Sequence, residues 1–81
     1  MIRWKDVIGV LQDEEARSRV MGTYRKAGFT ADEFMVNTSA RACMTEALIR
    51  VEDWMENAHP GRKLDRVAIR RVRRPLEAER E

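Results

Sequence analysis

Between Arg25 and Phe34 the chain reads Arg-Lys-Ala-Gly-Phe-Thr-Ala-Asp-Glu-Phe. Few folds accommodate this stretch without a corner between two helices. Gly28 stands where a helix C′ residue needs a left-handed backbone, with Arg25 and Lys26 in the last turn before it. Thr30 and Glu33 have the spacing of a capping box, in which the Thr hydroxyl accepts from the Glu33 amide and the Glu carboxylate reaches back to the Thr30 amide. Phe29 and Phe34 occupy the two positions of a hydrophobic staple. Three independent signals therefore predict a helix ending near Lys26 and another beginning at Ala31.

The remaining periodicity is also helical. Trp4, Val7, Ile8 and Leu11 share one helix face, and Ala16, Val20, Tyr24 and Ala27 form a second stripe. Asp13 before Glu14 and Glu15 suits a helix N-terminus, so the two stripes are either one bent helix or two. From Ala31 the apolar residues Val36, Ala40, Cys43, Met44, Ala47, Leu48, Val51, Trp54, Met55 and Ala58 recur at intervals of three and four, as in a packed seam. Asn37-Thr38-Ser39 is a poor helix interior and marks a kink or restart. Pro60 stops this helix near Ala58. Residues 64–74 are ambiguous. Ala68, Val72 and Leu76 suit a helix, whereas alternating Val67 and Ile69 suit a short edge strand; the helix is preferred. Pro75 is expected to end either element, with Leu76 to Glu81 frayed. The expected fold is an all-α bundle of three to four helices, with a short C-terminal strand as the variant. Residues 1–60 are expected to form a helical core domain and residues 61–81 a basic C-terminal segment.

A chain of 81 residues buries only about 60% of its unfolded surface. Cys43 is the sole cysteine, so neither an intrachain disulfide nor a cysteine-based metal site can reinforce this thin core. A homodimer is the expected remedy, its interface drawing on Val51, Trp54 and Met55. The amino-terminal residues lack the apolar run of a signal peptide, and no stretch is apolar enough to span a bilayer. A cytoplasmic protein without membrane attachment is expected.

Charge is polarised. Residues 1–60 carry a net −2 and residues 61–81 a net +4. The excess lies in Arg62, Lys63, Arg66, Arg70, Arg71, Arg73 and Arg74, opposed within that run only by Asp65. Arginine outnumbers lysine, which favours fork-like contacts to phosphate or carboxylate over simple solubility. No aromatic interleaves the block, so it offers no obvious stacking platform.

Catalytic chemistry finds little support. His59 is the only imidazole and reads as a helix-end residue, while Cys43 reads as a small core residue. Acid pairs such as Glu52 and Glu56 read as a solvated face. There is no metal-ligand spacing, calcium loop or glycine-rich phosphate loop, so no metal and no cofactor are expected. Arg25–Phe34 is similar to the opening of DNA-binding helix-turn-helix repressors. The second turn of that motif has no counterpart in Val36-Asn37-Thr38-Ser39-Ala40, and no family is assigned. The expectation is a non-enzymatic regulatory protein that binds nucleic acid through the basic block. The alternative is an adaptor or inhibitor, of a size found among phage and mobile-element proteins, that docks on an acidic protein surface.

Overall fold

The computed structural model describes residues 1–79. Four α-helices follow in order: α1 (Trp4–Val10), α2 (Glu14–Lys26), α3 (Thr38–Ala58) and α4 (Lys63–Ala78), with a 3₁₀ turn at Asp32–Met35 between α2 and α3. No strand occurs among the described residues. The long α3 is central. It packs against α2 on one side and α4 on the other, and α1 lies against α4.

Local chemistry explains the boundaries. The Asp13 carboxylate accepts the Ala16 amide at 2.8 Å, so α1 and α2 are two helices, separated at Leu11–Asp13. At the far end of α2, Gly28 has φ +93°, a conformation that costs little only without a Cβ. Its N–H donates to the Arg25 carbonyl at 2.9 Å, and the Phe29 N–H to Tyr24 at 3.4 Å. These are the two bonds of a Schellman cap.

The next segment departs from expectation. The helix foreseen from Ala31 stops after one 3₁₀ turn, and α3 restarts at Thr38. Asn37 imposes the restart, because its side-chain oxygen accepts from Ser39 at 2.9 Å and Ala40 at 3.3 Å. That N-cap requires an extended backbone at Asn37, and its φ of −115° and ψ of 113° comply. Half of the Thr30–Glu33 box forms: Glu33 accepts the Thr30 N–H at 3.0 Å. The Thr30 hydroxyl donates to the same carboxylate at 3.1 Å, rather than accepting the Glu33 amide. Val36, expected on the packed seam, lies in the break and is 85% exposed.

Residues 64–74 are helical, and Pro75 lies inside α4 rather than ending it. Pro75 removes one N–H, but Leu76 beyond it is fully buried and holds the last turn on the core. Where fraying is expected from Leu76, the structure has helix as far as Ala78, with Glu79 as its C-cap; residues 80–81 lie outside the described residues. The inner face of α4, Ile69, Val72 and Leu76, joins the same apolar core as Val7, Val20, Tyr24, Phe34, Leu48 and Met55. Trp4 ties α1 to Tyr24 and Phe34, with ring centroids 5.4 and 5.7 Å away.

Candidate functional site

The outward face of α4 follows from its inner one. Ile69, Val72 and Leu76 recur at three and four, which turns the intervening basic residues away from the core. The seven cations do not share one state. Arg62 pairs with Asp13 and lies 3.6 Å from Asp65. Arg66 donates to the Pro60 carbonyl at 3.1 Å. Arg70 and Arg73 both hold Glu52 of α3, at 2.6 and 3.1 Å, and Arg73 also reaches Glu77 at 3.2 Å. Lys63, Arg71 and Arg74 are exposed and form no ion pair among the described residues. The block thus splits into a set tied to the start of α2, to α3 and to the loop before α4, and an unpaired set facing outward.

Glu52 corrects the reading of a solvated acid. It is 7% exposed. Burial alone would raise its carboxyl pKa, but hydrogen bonds and charge from Arg70 and Arg73 outweigh that and hold it below the ordinary value. Arg73 is the mirror case: burial pushes its pKa down, and Glu52 and Glu77 push it further up. With Glu77 on Arg73 as well, two arginines meet two carboxylates and the cluster is neutral in sum.

A second buried cation, Arg41, escaped the sequence reading. It is 8% exposed. Its guanidinium donates to the carbonyls of Phe34 at 3.2 Å and Ile2 at 3.1 Å, lies 4.6 Å over the Phe34 ring and pairs with Glu79. Burial alone raises the Glu79 pKa; the Ile2 N–H, Arg41 and the amino terminus overcome this and lower it. The available signal was spacing. Arg41, Thr45, Leu48, Glu52 and Met55 follow one another at four, three, four and three, and all five are buried. Polar residues on such a seam need partners from the facing element.

The residues expected at a dimer interface are divided. Val51 and Met55 are buried within the chain itself, at 3% and 0% exposure, while Trp54 is half-buried at the edge of the α2–α3 contact. Cys43 packs partly buried against the core, and burial raises its thiol pKa. His59 ends α3, with its ring 5.1 Å from Trp54 and Nε2 3.7 Å from Glu15. About 24 Å of helix separates Cys43 from His59, too far for a nucleophile and its base. Among the described residues no three His, Cys, Asp or Glu side chains converge as for a metal ion, and no helix is long and apolar enough to cross a membrane. Comparison with protein-family models, curated proteins and solved structures yields no match.

Proposed function

We propose that this chain is a small non-enzymatic nucleic-acid-binding protein whose phosphate contacts come from the outer face of α4. The observation that carries this reading is the exposed trio Lys63, Arg71 and Arg74, unpaired among the described residues and displayed on a helix whose opposite face is locked into the core. Lys63 and Arg74 are about 16 Å apart along the helix axis, a span comparable with several phosphates of one strand. Their order is set in advance by Ile69, Val72 and Leu76, so binding does not have to fold the segment. Contacts of this kind position a nucleic acid without reading its sequence.

The test is duplex binding at graded salt. Three unpaired cations predict a log–log slope of about −3, at 0.9 per phosphate neutralised. The full block of seven would give about −6. A slope near zero, or no binding at low salt, removes the reading.

Leu64 favours a second reading. It is 84% exposed directly beside Lys63, and an acidic protein surface with an apolar spot would cover it where a phosphate backbone would not. An adaptor or inhibitor of that kind predicts capture of an acidic protein partner, lost on Leu64→Ala together with Arg71→Ala.

A further inference from the structure

Between α2 and α3 a groove of about 180 Å³ opens to solvent, lined by Arg19, Thr23, Ala47, Arg50, Val51 and Trp54. We infer that it receives one unstacked base of a single-stranded nucleic acid, a site that rests on the nucleic-acid reading above and specifies its substrate class.

Size narrows the occupant first. The groove's volume of about 180 Å³ is below the ~300 Å³ at which sites for whole small molecules begin. It takes one flat ring or one side chain. The lining then separates these two. Trp54 supplies an aromatic surface, and the Arg19 guanidinium lies 4.1 Å over its ring. Arg50, one turn before Trp54 on α3, also lines the groove with its side chain 73% exposed. The Thr23 hydroxyl donates to the Arg19 carbonyl at 3.0 Å and retains its lone pairs as acceptors. An aliphatic side chain inserted here would strip water from two guanidinium groups and a hydroxyl without replacing their hydrogen bonds. A nucleobase can take the place of the Arg19 guanidinium over Trp54, or stack on the guanidinium plane itself, and it has polar edges for Arg50 and Thr23, the combination used where single strands are bound.

Charge is compatible. Arg19 contacts Glu15 and Arg50 contacts Glu46, each at 3.5 Å and each between exposed side chains one helical turn apart. Such pairs are weak and readily exchanged for a phosphate, and a single contact leaves most of each guanidinium's five N–H groups free. The groove is also joined to the start of the basic block. His59 packs on Trp54, and Arg62 just beyond it reaches Asp13 at the start of α2. His59 and Lys63 are four residues apart, so the chain at the groove's rim runs directly into the basic block. The groove supplies the stacking platform that the basic block itself lacks.

Trp54 fluorescence in a Trp4→Phe background reads the site. The full chain is titrated with a single-stranded thymidine oligonucleotide and, separately, with a blunt DNA hairpin, in low salt. The expected result is saturable quenching by the single strand and not by the hairpin. Trp54→Ala should weaken single-strand binding about five- to a hundredfold, the range for loss of one base–aromatic stack, without altering hairpin affinity. If Trp54→Ala loses the parent's helical circular dichroism, Arg50→Ala and Thr23→Val replace it, and each should weaken the single strand selectively. Equal binding of both nucleic acids without quenching overturns the base site and leaves the α4 reading standing. Failure to bind either one removes both. Quenching by N-acetylleucine but not by the oligonucleotide reassigns the groove to a protein chain and overturns the inference.

Discussion

Glu52 and Arg73 meet across the α3–α4 interface at 3.1 Å, with side chains 9% and 18% exposed. The carboxylate is shared with Arg70, whose side chain is 44% exposed. Part of what reads in the sequence as a partner-binding block is therefore the polar seal of a helix pair. The division is sharp enough to separate stability from binding by mutation.

Glu52→Gln should destabilise the fold. It removes the charge that compensates two arginines, one of them largely buried, while the Arg73 Nε already lacks a partner. Breaking one side of a fully buried pair costs about 3–5 kcal/mol. Solvent at Arg70 reduces this, and a loss of about 1–3 kcal/mol is expected. Arg73→Ala should cost more than Arg70→Ala, because Arg70 is the more hydrated partner. Urea unfolding of the three variants ranks them.

Acid should weaken the protein through the same groups. The folded pKa values of Glu52 and Glu79 lie below their ordinary 4.5. A depressed folded pKa means that the unfolded chain binds more protons in this window, so stability rises with pH there. The contribution is fully present above about 4.5 and is lost as pH falls through the lower folded values. Asp13 acts in the same sense, its pKa lowered first by the Ala16 amide and further by Arg62 against an opposing push from burial. Thermal melts from neutral to acidic pH should show this decline. It should be shallower in Glu52→Gln and Glu79→Gln, and an unchanged slope in both would refute the assignment.

Caps offer a local comparison. Asn37 accepts two backbone amides at the start of α3, whereas the exposed Thr30 hydroxyl only donates to Glu33. Asn37→Ala should therefore cost about 1 kcal/mol, as for an N-cap, and Thr30→Ala clearly less. Gly28→Ala should cost about 1–2 kcal/mol, because φ +93° strains any residue with a Cβ. Chemical unfolding that reversed the order of Asn37→Ala and Thr30→Ala would contradict the restart at Asn37.

These cases show what the chain discloses by itself and why the rest stays hidden. Gly28 was readable because a positive φ and a glycine are linked by sterics alone. Asp13 suits a cap by the same local logic, but one bent helix or two stays open in the sequence, and the bond from the Ala16 amide decides for two. The identity of 64–74 was not readable locally. Val67 and Ile69 satisfy a strand as well as a helix, and the choice is made by Ile69, Val72 and Leu76 against α3 and α1. Pro75 looked like a terminator because its neighbours in sequence say nothing of the core beneath Leu76. Glu52 and Arg41 carry the general difficulty. A charged residue on a seam looks solvated until its partner is known, and the ion-pair partners of Glu52 and Arg41 lie 18 to 38 positions away. In the candidate site the cations could be named from composition, but their division into paired and unpaired sets depends on α3.

That division gives the decisive binding prediction. Lys63, Arg71 and Arg74 make no ion pair among the described residues, so replacing all three with alanine should leave urea stability within about 0.5 kcal/mol. The same variant should lose most duplex affinity, and its salt slope should fall from about −3 towards zero. Arg70→Ala with Arg73→Ala should do the reverse, lowering stability while keeping much of the slope. The loss in the triple variant should be uniform across duplex sequences, because phosphate contacts carry no base information. Anisotropy titrations on two unrelated duplexes at two salt concentrations, with urea melts on the same samples, measure both halves. If the triple variant binds like the parent while the Arg70/Arg73 variant does not, then the Glu52 clamp is the phosphate site and the outward trio is only a solvated face.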